Sequence, residues 1–166
     1  MKIIICEKLP RIIKNKKKLE EILEIKITNR GKEVTINGKS EKEYLAEKVI
    51  DALNFGFPFG TAILIKEGYF IFEIINIKDY TNRKDLERVR ARIIGKKGKT
   101  LKTLNQLTKC YFEIKENSIG IIGSSEYIKN AQEAVISIIR GAKQSNVYNF
   151  LEKHQVKPVI DLGLKK

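Results

Sequence analysis

Apolar residues in the first half of the chain alternate with polar ones over three short stretches, a pattern of period two that is typical of β-strands. The predicted strands are Lys2–Cys6, Ile25–Thr28 and Glu33–Ile36. Asn29-Arg30-Gly31 stands between the last two and has the composition of a tight turn. These features predict a small antiparallel sheet.

A helical pattern follows. From about Glu41 to Leu53 the apolar positions Leu45, Val49, Ile50 and Leu53 recur at helical spacing. Ser40 and Glu43 have the spacing of a capping box, which predicts the start of the helix, and Gly56 suits its C-terminal stop.

The second half of the chain repeats this order of elements. Cys110–Lys115 is predicted as a strand, Glu116-Asn117-Ser118 as a turn, and Ile119–Ile122 as a second strand. A helix is then expected from about Glu126 to Ile139, with Gly141 closing it. The two halves therefore have the same local pattern.

Direct comparison of the halves indicates an internal duplication. Gly38-Lys39-Ser40-Glu41 matches Gly123-Ser124-Ser125-Glu126 at an offset of 85 residues, whereas Arg11–Lys14 matches the segment beginning at Arg92 at an offset of 81. The four residues that separate the two offsets are Gly95-Lys96-Lys97-Gly98, which only the second copy has. Because the first copy is expected to fold without this loop, the loop is interpreted as functional, and replacing its glycines is expected to cost little stability.

The copies are joined by Phe55-Gly56-Phe57-Pro58-Phe59-Gly60, a turn-rich and aromatic segment, and by Thr61–Lys66, which has the pattern of a short helix. The phenylalanines indicate that the halves pack together. The predicted organisation is 1–56, 57–69 as a joint, 70–142, and 143–166 as a C-terminal helix and tail.

The two halves differ more in their charge than in their pattern of strands and helices. The 166-residue chain has a formal net charge of +13 and a pI near 9.7, which favours a polyanionic partner, either nucleic acid or an anionic membrane surface. Residues 83–102 contain nine basic and two acidic side chains, a net charge of +7. A general compositional bias would spread the excess evenly, so this concentration marks a local binding surface.

Several classes of protein are disfavoured. The chain has no apolar run long enough to span a membrane and no signal-like segment at Met1–Glu7, which predicts a cytoplasmic protein without a membrane partner. Cys6, Cys110 and His154 are too few and too far apart for a zinc site, so no metal or other cofactor is expected. The scattered acidic residues Asp79, Asp85, Glu87 and Glu113 are interpreted as solvated ion pairs, and the protein is not expected to be an enzyme.

The glycine loop can be tested against known phosphate-binding patterns. A Walker A loop needs G-x-x-x-x-G-K-[ST], but the position five residues before Gly98 is Ile93, so the loop is too short to surround a triphosphate. A short G-x-x-G turn between two helices instead presents Lys96 and Lys97 to a sugar–phosphate backbone. The apolar residues on either side, with the strand Tyr111–Ile114, can form the groove that holds about four single-stranded nucleotides.

Two points are left open by the sequence. Tyr111 and Glu113 lie on one face of their strand and Phe112 and Ile114 on the other, and alternation alone does not tell which face meets RNA. The tail segment with Val147, Tyr148 and Leu151, on a short helix, either packs back on the protein or contacts a partner. A DNA-binding helix-turn-helix is disfavoured because strands of the same repeat follow the second helix.

The segment Arg90-Ala-Arg-Ile-Ile-Gly-Lys-Lys-Gly-Lys-Thr-Leu-Lys102 resembles the KH domain of archaeal ribosomal RNA processing proteins related to the eukaryotic partner-of-Nob-one family, and Arg140–Lys153 resembles their C-terminal helix. The resemblance implies an α+β fold of two tandem type I KH domains, each β-α-α-β-β-α, the first lacking the GxxG loop. It also implies a non-catalytic assembly factor of the small ribosomal subunit.

The implied partner is single-stranded RNA near the 3′ end of 16S rRNA, beside a PIN-domain endonuclease and other ribosome or translation factors. The alternative function is a general KH-type mRNA-binding or exosome-accessory protein. The implied RNA-binding residues are Arg88, Arg90, Arg92, Ile93, Ile94, Gly95, Lys96, Lys97, Gly98, Lys99, Thr100 and Lys102.

Overall fold

The computed structural model describes residues 1–155, which form two α+β units of the same element order. The N-terminal unit contains β1 (Lys2–Ile5), α1 (Leu9–Lys14), α2 (Lys16–Leu23), β2 (Lys26–Arg30), β3 (Glu33–Asn37) and α3 (Ser40–Phe55). The joint contains α4 (Phe59–Ala62) and a 3-10 turn over Ile63–Glu67. The C-terminal unit contains β4 (Phe70–Asn76), α5 (Leu86–Ile94), α6 (Lys99–Thr108), β5 (Tyr111–Lys115), β6 (Ser118–Ser124) and α7 (Ile128–Ile139), and α8 (Gln144–Lys153) follows it. The predicted α+β class is confirmed.

Each unit has one antiparallel three-stranded sheet with its last strand in the centre. The strand orders are β1-β3-β2 and β4-β6-β5. In the N-terminal sheet the inward residues Ile4, Ile27, Val34 and Ile36 are buried together with apolar residues of the unit's helices. One face of each sheet therefore supports the helices of its own unit.

The two helix pairs differ at their junctions. Asn15 alone separates α1 from α2, and it is not left-handed, with φ of −104°. Between α5 and α6 the chain inserts Gly95-Lys96-Lys97-Gly98, and three of these four residues have positive φ. The extra residues thus change the local path of the chain while the helix pair remains.

The capping box predicted at Ser40 and Glu43 is wrong. Ser40 is already the first residue of α3, and the preceding Lys39 makes no side-chain cap. The Glu43 carboxylate instead accepts hydrogen bonds from the Gly38 N–H and the amino group of Met1, each at 2.9 Å. These two donors hold the pKa of Glu43 below its usual range, so Glu43 ties the end of β3 to the start of β1.

The last strand and helix of the C-terminal unit are displaced from their predicted bounds. β6 extends beyond Ile119–Ile122 to Ser118–Ser124, because it pairs with β4 from Phe70 to Asn76. The helix predicted from Glu126 begins at Ile128, since the Tyr127 N–H donates to the Ser124 carbonyl in a turn. Pairing with a neighbouring strand has outweighed the local helical pattern here.

The outer face of the C-terminal sheet packs against the N-terminal unit. Phe55, Phe57 and Phe72 form an aromatic cluster with ring centroids 5.7–6.0 Å apart. Gly120 of β6 lies beneath it, and a Cβ atom at that position would be 2.8 Å from the Phe55 ring and 2.9 Å from the Phe57 ring. The predicted packing of the halves through the joint phenylalanines is confirmed.

The C-terminal helix α8 packs on the C-terminal unit. Val147 and Leu151 are buried in its core, and Tyr148 is partly buried beside them. The open question of the tail helix is thereby answered for this face, while the tail predicted beyond residue 155 lies outside the described residues. Within residues 1–155 no helix combines the length and apolar character needed to cross a bilayer.

Candidate nucleic-acid interface

The glycine loop is a tight connection with an unusual backbone. Gly95 ends α5 with φ of 78°, Lys97 is left-handed with φ of 56°, and Gly98 has φ of 75°. The Gly98 N–H donates to the Gly95 carbonyl at 3.1 Å, which closes the turn. A left-handed lysine between two glycines with positive φ is strained, as is common at ligand-binding loops.

The two glycines are required for different reasons. A Cβ atom on Gly95 would lie 2.1 Å from Thr100 Oγ1 and 2.6 Å from Thr100 N, whereas a Cβ atom on Gly98 would meet nothing within 4 Å. Thr100 cannot move away easily, because it is only 6% exposed in the first turn of α6. The expectation that both glycines are replaceable at little cost in stability is therefore wrong for Gly95.

The loop and the start of α6 present several cations to solvent. Lys96, Lys97, Lys99 and Lys102 are all exposed. The first turn of α6 contains no acidic side chain, so its unpaired N–H groups add to the positive potential of the lysines. The predicted concentration of charge thus forms one surface around the loop.

Two of the arginines predicted to contact RNA are engaged within the protein. The Arg92 guanidinium donates to the carbonyl oxygens of Ile138 at 2.8 Å and Ala142 at 2.5 Å, at the end of α7. Gln144 of α8 donates to the Arg92 carbonyl at 3.3 Å. Arg92 therefore anchors α5 to the segment between α7 and α8. Its guanidinium stabilises the position of the helix that leads into the loop.

Arg90 is held in a comparable way. Its guanidinium donates to the side-chain carbonyl of Asn117, in the β5–β6 turn. This bond joins α5 to the β5–β6 turn. Arg90 and Asn117 also line an open surface pocket of about 550 Å³. Arg88, which precedes Arg90 on α5, is exposed, so its guanidinium is accessible to an anion in solution.

Burial distinguishes the uncharged residues of the predicted site that can contact a ligand from those that cannot. Ile93 is wholly buried in the core of the C-terminal unit, so its side chain cannot touch a ligand, and the prediction of contact is corrected to one of support. The same holds for the side chain of Thr100. Ile94 is 36% exposed and lies directly before the loop.

The face of β5 left open by the sequence follows from its pairing with β6. Phe112 is opposite Ile121 and Ile114 is opposite Ile119, and both partners are buried under the helices of the C-terminal unit. Phe112 and Ile114 are only partly buried there. They lie on the same side of the sheet as α5, the loop and α6. Leu101 of α6 is partly buried against the same core, and exposed Ile94 directly precedes the loop. We call these four residues the apolar strip.

β5 is also the edge strand of its sheet. Its outer N–H and C=O groups have no ladder partner within residues 1–155, and such groups can hydrogen-bond to an added chain or ligand. Helix α6 is fixed against the strand by Asn105, whose amide donates to the Cys110 carbonyl at 2.6 Å. The strip, the lysine loop and the free strand edge thus border one groove.

The contacts of Arg90, Arg92 and Asn105 were not foreseen from the sequence. A pattern of charges does not distinguish an arginine that binds a carbonyl from one that binds a phosphate. Some signal was available for β5, because the residues opposite Tyr111 and Glu113 could have been assigned from the hairpin turn. Within the described part of the chain, three or more His, Cys, Asp or Glu side chains do not cluster in a way that could hold a metal ion.

Comparison with known proteins gives the family. Residues 71–156 match the family model of the second PNO1 KH domain, described as a eukaryotic-type KH domain, or KH domain type I. A KH domain-containing protein of Methanocaldococcus jannaschii is 30% identical over 149 residues, which cover 86% of this chain and 66% of that protein. The pre-rRNA-processing protein pno1 of Emericella nidulans is 33% identical over 111 residues, which cover 64% of this chain and 43% of that protein.

The fold has a counterpart among solved structures. A chain in the crystal structure of the a/eIF2alpha-aDim2p-rRNA complex from Pyrococcus horikoshii OT3 is similar with a TM-score of 0.82 and 27% identity, over 92% of each chain. This chain spans about two thirds or less of the curated relatives named above. The match over residues 71–156 and the groove within that range agree, and the chain belongs to the type I KH-domain family of the PNO1 proteins.

Proposed function

We propose that this protein is a non-catalytic RNA-binding factor that assists assembly of the small ribosomal subunit. In this proposal the chain is a pair of tandem type I KH domains, with a loopless first domain at 1–56, a joint at 57–69, the RNA-binding domain at 70–142 and a C-terminal helix and tail at 143–166. The observation that carries the proposal is the Gly95–Gly98 loop, with its exposed lysines beside the apolar groove.

Single-stranded RNA fits this groove by its chemistry. Lys96 and Lys97 would bind phosphates at the loop, and Lys99 and Lys102 would continue the contact along α6, while Arg88 adds charge from α5. The glycines allow the backbone of the RNA to come close to the turn. About four unstacked bases would lie against Ile94, Leu101, Phe112 and Ile114, with their polar edges toward the free side of β5.

Arg92, Arg90, Ile93 and Thr100 have a positioning role in this proposal. Arg92 and Arg90 would hold α5 in place through their contacts with Ile138, Ala142 and Asn117. Ile93 and Thr100 would fix the two ends of the loop through their burial. The RNA-binding residues predicted from the sequence thus divide into those that would contact RNA and those that would position the loop.

Ribosomal RNA is the proposed target because of the relatives. The Emericella nidulans protein is named for pre-rRNA processing, and the Pyrococcus horikoshii structure is a complex with rRNA. We extend this to the 3′ region of 16S rRNA, with a PIN-domain endonuclease as the partner that would cut it. A general mRNA-binding or exosome-accessory role is the alternative, and crosslinking RNA to the protein in its native cells would separate them by whether rRNA or mRNA is recovered.

Matched charge reversals test the binding surface. Lys96→Glu/Lys97→Glu should reduce the affinity for a single-stranded RNA octamer by at least tenfold, as measured by fluorescence anisotropy. Lys14→Glu/Lys17→Glu makes the same change in net charge on exposed residues of α1 and α2, at the corresponding place in the loopless unit, and should change affinity much less. Equal losses in both variants would mean that binding depends on total charge alone, and the proposed site would be wrong.

The salt dependence gives a second readout of the same contacts. If Lys96, Lys97, Lys99 and Lys102 each neutralise one phosphate of a single strand, log K should fall against log [salt] with a slope of about −2.8. The Lys96→Glu/Lys97→Glu variant should lose about half of that slope. An unchanged slope would place the phosphate contacts elsewhere on the protein.

A further inference from the structure

A second cleft lies beside the proposed groove, between the joint and the C-terminal unit. Its volume is about 340 Å³, which is within the range of small-ligand pockets, roughly 300–1,000 Å³. One wall comes from the joint, through Phe57, Pro58 and Thr61. The other wall is formed by α6 and β5, so the cleft exists only because the joint is packed against the C-terminal unit.

The pairing of β5 with β6 tells which side chains point into this cleft. Tyr111 is opposite Ile122, and Glu113 is opposite Gly120. Ile122 belongs to the core of the N-terminal unit, and Gly120 lies under Phe55 and Phe57. Tyr111 and Glu113 therefore face the N-terminal unit, on the side of the sheet opposite to Phe112 and Ile114.

The cleft and the groove meet at the edge of β5. Leu101, Lys102 and Phe112 line the cleft, and Leu101 and Phe112 also belong to the apolar strip of the groove. An RNA strand that lies along the lysines of α6 would thus pass the mouth of the cleft. A base beyond those held in the groove could turn around the edge of β5 and enter it.

The cleft contains donors at Lys102 and Thr61 and acceptors at Glu113 and Asn105, and among the residues that the structure describes the Glu113 carboxylate is the one anionic group in its lining. The Glu113 carboxylate makes neither a hydrogen bond nor an ion pair within 4 Å in the described part of the chain. Burial raises the pKa of its carboxyl, and the charges of Arg11 and Lys8 partly offset this, so those two cations face it from the N-terminal unit. The Asn105 amide nitrogen is bonded to the Cys110 carbonyl, which leaves its oxygen as a second acceptor. Tyr111 adds an aromatic ring that is 40% exposed.

We propose that this interdomain cleft is a guanine-selective base pocket, in which Glu113 accepts hydrogen bonds from the base and Tyr111 stacks on it. Guanine presents two adjacent donors, N1–H and the N2 amino group, which match the two oxygens of one carboxylate. Adenine, cytosine and uracil do not present two adjacent donors on this edge. The inference rests on the proposed RNA-binding function and adds a base-specific contact made by the joint and the C-terminal unit together.

The functional consequence concerns the loopless unit. Apart from the cleft, that unit packs against the outer face of the C-terminal sheet, on the side away from the groove. At the cleft, Phe57, Pro58 and Thr61 of the joint form the wall that excludes water from one base, and a carboxylate–base contact is stronger where water is excluded. The packing of the units would then extend the bound RNA beyond about four nucleotides and select one of its bases.

The test uses RNA octamers of adenosine with one guanine moved through each position, with the full-length protein. At one position guanine should raise the affinity by about tenfold over adenine, and inosine, which lacks the N2 amino group, should lose most of that gain. Glu113→Gln should reduce the guanine-to-adenine ratio toward one. Glu73→Gln removes the same charge from an exposed position on the opposite edge strand and should leave the ratio unchanged.

The ratio is the readout, because removal of any carboxylate makes the protein more basic and raises its affinity for all RNA. Thr61→Trp fills the cleft from the joint and should also abolish the guanine preference, which gives an independent variant if Glu113→Gln does not fold. A guanine preference that survives both changes would overturn the pocket. Octamers that bind through Lys96 and Lys97 without any guanine preference would overturn it too, while leaving the proposed function intact; octamers that do not bind at all would overturn both.

Discussion

The two loop glycines offer a prediction that separates stability from binding. Gly95→Ala and Gly98→Ala each place an L-residue at a positive φ. Gly98, with φ of 75° and ψ of 12°, is left-handed, and alanine there costs about 1–2 kcal/mol. Gly95, with φ of 78° and ψ of 169°, lies in a region that is open almost only to glycine, so its backbone cost is at least as large. Only at Gly95 does the new Cβ overlap another residue, at 2.1 Å from Thr100 Oγ1 and 2.6 Å from Thr100 N. Overpacking of this kind typically costs a further ~1–3 kcal/mol. We therefore expect Gly95→Ala to be less stable than Gly98→Ala by about 1–3 kcal/mol.

Urea unfolding followed by far-ultraviolet circular dichroism measures this difference. Gly60→Ala is the matched control, because Gly60 lies in α4 with nothing within 4 Å and an ordinary φ, and this variant should be at least as stable as the wild type. Equal destabilisation by Gly95→Ala and Gly98→Ala would refute the reasoning, since it would mean that Thr100 does not restrict the loop. Gly98 is consequently the better position for testing RNA binding without unfolding.

Three further predictions concern contacts away from the loop. Gly120→Val should push Phe55 and Phe57 off the C-terminal sheet, lowering the free energy of unfolding by about 1–3 kcal/mol and making the joint more sensitive to limited proteolysis; resistance equal to the wild type would contradict the close packing there. Arg92→Ala should destabilise the protein by about 1–3 kcal/mol, because two partly buried carbonyls lose their donor, while the salt slope of RNA binding stays the same; a shallower slope would show that Arg92 contacts phosphate instead. Burial raises the pKa of both the Cys6 and Cys110 thiols to about 11, so both should resist alkylation at pH 8 in the native protein and react at once in denaturant, and rapid native labelling would contradict their burial.

The periodicity of the sequence predicted much of the fold because the elements are short and amphipathic. The helix α3 was predicted over Glu41–Leu53 and runs over Ser40–Phe55, since its apolar stripe faces a core that is continuous along the helix. α7 was predicted from Glu126 but begins at Ile128. Its start depends on how far β6 pairs with β4, and that pairing joins residues about 50 positions apart, which a local pattern does not report.

The sequence predicted which residues lie in or beside the site better than it predicted what each of them does. Comparing the two halves of the sequence found the loop, because an insertion in one of two matching copies is visible without a structure. The same comparison could not tell that Lys96 is exposed while Arg92 binds two carbonyls, because both are basic residues close to Gly95 in the sequence. The expectation that Gly95 could be replaced at little cost in stability is also wrong for a physical reason. The first copy has no counterpart of Gly95, so it gives no information about the close contact between Gly95 and Thr100.

The interface between the units was the least predictable feature. The aromatic joint indicated that the halves touch, but Gly120 gave no sign of its role until Phe55 and Phe57 were placed over it. The position of Glu113 beside the joint likewise depends on which face of the sheet the N-terminal unit covers. Sequence patterns describe each unit separately, whereas this surface is created by their packing.

The most direct test of the central claim, that RNA lies between the glycine loop and β5, is photocrosslinking. A single-stranded RNA octamer that contains 4-thiouridine would be crosslinked to the full-length protein, and the adducts located by mass spectrometry. The account predicts adducts within residues 94–102 and 111–114, which are lost in Lys96→Glu/Lys97→Glu. Adducts confined to β1, α1 and α2 of the loopless unit, and unaffected by that variant, would contradict it.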